Sequence, residues 1–169
     1  VLTGECADEV FGGYPWFHRE EFLQSGTFPW TPDLAPRKML LLDEVSESLP
    51  MDAFVQEMYD RSVREVTILP GEDEIETNRR QIGYLNIRYF MQTLLNRMDR
   101  TSMHSGLEAR VPFADRALVD YIFNVPWEMK AKDGLVKNVP RQASRGLLPD
   151  EILFRRKSPY PKSYDPYYE

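Results

Sequence analysis

Residues 73–98 read DEIETNRRQIGYLNIRYFMQTLLNRM, and the spacing of their apolar side chains decides the class of fold. Ile75, Ile82, Leu85, Tyr89, Leu94 and Met98 fall on neighbouring faces of one α-helix. Ile87, Phe90, Met91 and Leu95 widen that stripe, so the predicted element is a central, largely buried helix from about Asp73 to Met98. The acidic GEDE opens it, and Gly83 is its weak point.

Towards the amino end, Met51 to Val66 reads as another helix, with Phe54, Met58, Val63 and Val66 facing the core. Arg37 to Leu42 is a shorter one. Between Ser25 and Pro36, three prolines remove backbone donors and fix φ, which predicts a surface loop. Val1 and Leu2 look like the end of a strand, Thr3 to Cys6 like a turn, and Asp8 to Phe11 like the opening of a helix, the place where open α/β sheets put ligands. Gly12 and Gly13 then interrupt the pattern and allow close backbone approach, although a helix through the following aromatic residues is also compatible.

Towards the carboxyl end, Asp115 suits the N-cap of a helix that turns Leu118, Val119, Ile122 and Phe123 inward and stops before Pro126. A further helix is predicted over Leu135 to Arg145, ending at Gly146. Residues 158–169 are rich in proline and tyrosine and read as an extended tail. Strand-period alternation is nearly absent. The expected fold is mainly α, a helical bundle in a single domain with at most a trace of strand at the amino end.

With 169 residues, 42% of them hydrophobic, the chain can bury one substantial core. Its net charge of -6 comes from interspersed acids and bases without a basic stripe, so nucleic acid is not an expected partner. One cysteine, Cys6, and two histidines, His18 and His104, assemble neither a disulfide framework nor a Cys/His zinc site, which fits a reducing, cytoplasmic setting. No apolar run approaches the roughly 20 residues that span a bilayer, so a membrane is not expected either. The start at Val1, directly before a dense acidic motif, suggests a piece of a longer polypeptide, with a processed complete protein as the alternative.

Three clusters carry candidate chemistry. In GECADEVFGGY, residues 4–14, a helix beginning near residue 5 would give Glu5, Asp8 and Glu9 the i, i+3, i+4 spacing that gathers carboxylates on one face. Such a face repels itself unless a cation such as nucleotide-bound magnesium neutralises it. The ordinary explanation is acids favouring the positive end of a helix, worth up to about 1 kcal/mol. In residues 95–121, Arg97, Asp99, Arg100, Glu108, Arg110 and Asp115 alternate with apolar side chains, and for all but Glu108 the preferred reading is a partly buried ion-pair network joining helices. In LFRRKSPYP, residues 153–161, Arg155, Arg156 and Lys157 precede a stiff turn, which suits a departing phosphate but also suits plain solvation.

The order GECADEVFGGY, then GLEARVPFADRALVDY, then RGLLPDEILFRRK resembles that of the asparagine synthetases, most strongly over residues 1–14 and 95–157. The resemblance implies the helical carboxyl-terminal portion of an α/β adenine-nucleotide-hydrolase-like synthetase domain. It implies an enzyme that activates the aspartate side-chain carboxylate with Mg²⁺ and ATP as β-aspartyl-AMP, then uses glutamine-derived ammonia to make asparagine. Carried over by position, Thr3 and Gly4 lie against the nucleotide and Glu5 serves formation and use of the adenylate. Asp8 helps to hold magnesium, and Glu9 lies near the substrate aspartate. Glu108 and Lys157 are the remaining catalytic candidates, the lysine facing the α-phosphate and pyrophosphate. In β-lactam-forming relatives a tyrosine stands where this chain has Glu5, which favours asparagine synthesis.

The family's SGGLDS pyrophosphate loop and its amino-terminal glutaminase domain have no counterpart in these 169 residues. The chain alone is therefore expected to be inactive and to bind ATP weakly. Exposed apolar surface leaves room for a homodimer. The alternatives are a parent that closes a β-lactam or a macrocycle, and a helical binding module without catalysis.

Overall fold

A computed structural model of the chain describes residues 1–156. Its helices are α1 (Ala7–Phe11), α2 (Glu20–Leu23), α3 (Ala35–Lys38), α4 (Asp43–Ser48), α5 (Met51–Arg64), α6 (Glu74–Leu85), α7 (Met91–His104), α8 (Arg116–Phe123), α9 (Trp127–Lys130), α10 (Asn138–Ala143) and α11 (Asp150–Leu153). Among the described residues, extended pairing is confined to isolated parallel bridges, Leu2 with Arg110 and Arg145 with Leu148. The expected mainly helical fold with a trace of strand is what the chain adopts. No helix among the described residues is long and apolar enough to cross a membrane.

The 73–98 stretch forms a continuous rod. The Asp73 carboxylate caps α6 by accepting the Glu76 amide at 2.8 Å. A π-helical turn, Asn86–Phe90, then joins α6 to α7. α7 continues past the expected end at Met98 to His104, and Gly106, at φ +69°, closes it. The rod is less buried than its stripe suggests. Ile82, Leu85, Asn86 and Met91 are buried while Ile75 is exposed, because the neighbouring helices cover one side of the rod.

α5 docks on this rod through a polar side chain. Ser62 is fully buried, its hydroxyl 2.7 Å from the Met58 carbonyl and 2.7 Å from the Tyr89 hydroxyl. Phe54, expected in the core, is 62% exposed. Beyond Gly13 the chain does not continue as one helix: Pro15 opens a 3₁₀ turn, Pro15–Phe17, and α2 is a separate helix after it. α8 matches its prediction, with the Asp115 carboxylate accepting the Leu118 amide at 3.1 Å and Ile122 buried. The predicted 135–145 helix contracts to α10, because Lys137 takes a left-handed conformation at φ 58° and begins it late. Helices α4, α9 and α11 lie in stretches for which the sequence predicts no element.

Among the described residues, two clusters of buried side chains pack around α1 and the turn after it. Cys6, Val10, Phe11, Met91 and Ile122 form the first, flanked by half-buried residues of α7, α8 and α10. Phe17, Leu23 and Ile82 form the second, with Tyr14, Trp16 and Trp127 against them. α1, five residues long, thus lies at the centre of the fold and carries the acidic motif with it.

Candidate functional site

The site is built around the entry to α1. Cys6 adopts φ 71°, ψ -6°, so the helix starts only at Ala7 and Glu5 stands outside it. The expected convergence of Glu5, Asp8 and Glu9 on one helical face therefore does not occur. Among the described residues no group of three or more His, Cys, Asp or Glu is placed to hold a metal ion.

Each acid has its own partner instead. Glu5 Oε1 meets Arg97 of α7 at 3.1 Å. Asp8 Oδ1 meets the ammonium of Lys137, at the start of α10, at 3.0 Å. Glu9 is buried and accepts the Tyr14 hydroxyl at 2.5 Å. Burial raises the Glu9 carboxyl above its ordinary range, the Asp8 and Glu5 charges add to this, and the Tyr14 hydrogen bond opposes it. Burial, then the charges of Glu9 and Glu5, push the Cys6 thiol up to about 12, so it is no nucleophile at neutral pH.

The glycine pair sets this geometry. Gly12 sits at φ +70°, and a Cβ there would lie 2.6 Å from the Trp127 ring. A Cβ on Gly13 would lie 1.8 Å from Asp8 Oδ1 and 2.9 Å from Asp8 Cα. Only a bare backbone lets the chain turn back beneath the Asp8 carboxylate.

The second motif lies alongside. The Thr3 amide donates to the Arg110 carbonyl at 3.0 Å, and the Arg110 amide to the Val1 carbonyl at 2.8 Å. The Phe11 and Phe113 rings meet edge to face at 5.7 Å. GECADEVFGGY and GLEARVPF, nearly a hundred residues apart in the chain, are thus neighbours. Thr3 Oγ1 accepts the Glu5 amide at 3.2 Å and holds the turn, while Gly4 is exposed with open space about its Cα. Glu108 is exposed and paired with Arg110 at 3.0 Å. The partly buried ion-pair network read from residues 95–121 is replaced by exposed charges: Asp115 is a helix cap, and Arg97 reaches into the first motif.

Of the third motif, Arg155 and Arg156 are exposed, and Lys157 lies outside the described residues, as does the 158–169 tail. The segment leading to Lys157 is tied to α10. The Arg141 guanidinium donates to the Val136 carbonyl at 2.8 Å, to the Arg155 carbonyl at 3.2 Å and to the Leu153 carbonyl. Arg141 stands one helical turn from Lys137, so a single short helix holds both the Asp8 partner and the carboxyl-terminal segment. Sequence reasoning missed Lys137 and Arg141; their four-residue spacing at a predicted helix start was the available signal.

The donor set fits magnesium bound to a nucleotide, which takes one or two carboxylates and fills its remaining positions with phosphate oxygens and water. Glu5 and Asp8 supply hard oxygen donors, and Glu5 Oε2 is buried without a hydrogen-bond partner among the described residues.

The family model for asparagine synthase matches residues 1–169. The chain is 49% identical over 167 residues to "Asparagine synthetase [glutamine-hydrolyzing] 3" of Bacillus subtilis (strain 168), covering 99% of this chain and 27% of that protein. It is 43% identical over 67 residues to the glutamine-hydrolysing asparagine synthetase of Rattus norvegicus, covering 38% of this chain and 12% of that one. "Amidase chry2" of Gibberella zeae is 25% identical over 211 residues, covering 95% of this chain and 31% of the fungal protein. The chain therefore spans under a third of the length of these relatives.

Proposed function

Because the chain belongs to the asparagine synthase family, we propose that it supplies the acidic and basic side chains of the synthetase site in a glutamine-hydrolysing asparagine synthetase. In this reading a β-carboxylate oxygen of aspartate attacks the α-phosphorus of ATP, the bond to pyrophosphate breaks, and ammonia derived from glutamine displaces AMP from β-aspartyl-AMP to give asparagine. The observation that carries the proposal is the pairing of residues 1–3 with residues 108–110, which sets the two acidic motifs side by side around α1.

The exposed Gly4 and the half-buried Thr3 before it lie against the nucleotide, with the Thr3 hydroxyl fixing the turn. Asp8 would help to hold the magnesium of the nucleotide, whose charge would offset that of the phosphates. Glu5 also steers the incoming ammonia and takes its proton, and Arg97 keeps that carboxylate in place. Glu9, next to Asp8 in the chain, stands near the substrate aspartate, its carboxyl raised above the ordinary range by burial. Glu108 sits beside the Thr3 turn, and Lys157 balances charge on the α-phosphate and departing pyrophosphate, joined by Lys137. Mg-ATP and aspartate are the implied ligands. The pyrophosphate loop and the ammonia-producing domain belong to parts of the polypeptide beyond these 169 residues.

The test is amide formation by the full-length polypeptide, measured as asparagine and AMP from aspartate, ATP and ammonia. Glu5→Ala and Lys157→Ala should each lower kcat by on the order of 100-fold or more. Unchanged turnover in both variants would refute the assignment. Separately, titration calorimetry of the 169-residue chain with Mg-ATP should show no micromolar binding, and micromolar affinity would contradict the need for an additional phosphate loop.

A further inference from the structure

Beside α1 a cavity of about 280 Å³ opens between α6 and the turn into α9. Arg79, Arg80, Lys130, Phe17, Phe123 and Trp127 help to line it. Glu9 and Val10 contribute to one wall, but Glu5, Asp8 and Glu108 do not reach it, so the space is separate from the acidic entry to α1.

Its three cations are unequally satisfied. Arg80 pairs with Glu72 at 2.5 Å and lies over the Phe123 ring at 5.4 Å. Arg79 donates to the Phe17 carbonyl at 3.3 Å and lies over Trp127 at 4.9 Å. Lys130 reaches the Phe123 carbonyl at 3.4 Å, the long edge of hydrogen bonding, and no described carboxylate pairs with it. The acids around the cavity are otherwise engaged or in water: Glu72 holds Arg80, Glu9 holds Tyr14, and Glu76 is exposed. Burial, then the Arg80 charge, lowers the Lys130 ammonium to about 8.

An ammonium withdrawn from water without a counter-ion is costly, and a bound anion is what would offset that cost. The rest of the lining is aromatic: Phe17 and Trp127 stack at 5.8 Å, and Phe123 stands opposite Gly83. The volume lies just below the roughly 300–1,000 Å³ of ordinary small-molecule sites. We propose that this cavity binds a small carboxylate with an apolar or aromatic body, its carboxylate paired with Lys130 and its hydrocarbon against Trp127 and Phe123. The aromatic walls favour such a ligand over inorganic phosphate, which has no apolar surface to bury.

The test uses titration calorimetry with benzoate and, separately, inorganic phosphate at matched ionic strength, and it reads no amide-forming activity. Benzoate should bind with Kd on the order of 1 mM. Lys130→Met should weaken it by about tenfold or more, and wild-type affinity should fall as pH rises through about 8, where Lys130 loses its charge. Lys130→Met removes a half-buried ammonium that no described carboxylate pairs with, so it should melt no lower than the wild type at neutral pH. As a readout that needs no variant, saturating benzoate should protect Lys130 from trinitrobenzenesulfonate, monitored by peptide mass spectrometry. Equal benzoate affinity in Lys130→Met, tighter binding of phosphate than of benzoate, or an unprotected Lys130 would each overturn the proposal.

Discussion

The tripeptide Asp-Glu-Val occurs twice in this chain, at residues 8–10 in α1 and at residues 43–45 in α4, and the two copies meet opposite fates. Glu9 and Val10 are 3% and 5% exposed, whereas α4 buries no residue and Val45 is 40% exposed. Both helices are short and acidic in the first turn, so neither length nor local pattern separates them. The difference lies in the next three residues. After Val10 come Phe11, which meets Phe113, and two glycines that fold the chain back; after Val45 come Ser46, Glu47 and Ser48, which give the core nothing to hold.

That contrast can be broken from its strongest side first. Phe11→Ala should cost about 3–5 kcal/mol in urea unfolding, since it removes a buried ring from the first core cluster. Gly13→Ala should come next at about 2–3 kcal/mol, because the new methyl meets Asp8 backbone as well as side chain. Loss of the Asp8–Lys137 pair should accompany it, visible as a shifted Asp8 carboxyl resonance by NMR. The matched pair Val10→Ala and Val45→Ala sharpens the comparison: about 2 kcal/mol at the buried site and under about 0.5 kcal/mol at the exposed one.

The smallest effect is a pH dependence. Burial raises the folded-state pKa of Glu9 above its ordinary 4.5, so its contribution to stability is present below that value and is lost as pH rises through the folded-state pKa. Glu9→Gln keeps an acceptor for Tyr14 and removes this loss. It should melt a few degrees above the wild type at neutral pH and coincide with it at acid pH, by differential scanning calorimetry. Glu44→Gln, at the matching exposed position, should leave the melting curve where it is at both.

The sequence disclosed those parts of the fold that depend on neighbours close along the chain. The 73–98 periodicity became α6, the π-helical turn and α7; Asp115 capped α8; and the glycine pair stopped α1. Where the outcome depended on remote partners the reading failed. Phe54 has the apolarity of a core residue, yet Ser62 occupies the core because its hydroxyl bonds to the Met58 carbonyl and the Tyr89 hydroxyl at once. The site divides likewise. Motif order brought Thr3, Gly4, Glu5, Asp8, Glu9 and Glu108 to one region, but their partners Arg97 and Lys137 come from elements joined only by folding. The gathering of Glu5 with Asp8 and Glu9 failed because Cys6 takes a left-handed conformation, a choice that side-chain type in an L-residue hardly signals.

The π-helical turn at Asn86–Phe90 sets the phase of one half of the rod against the other. There the Met91 amide bonds back five residues to the Asn86 carbonyl. Each residue of a helix advances the side chains by about 100°, so deleting one residue from this turn would swing all of α7 around its axis by that angle. Arg97 would then point away from Glu5 while Arg79 and Arg80, upstream, kept their aim into the cavity. A single deletion would thus part Arg97 from Glu5 and turn Met91 out of the first core cluster, so the angular offset between the two halves of the rod helps to hold the acidic motif in place.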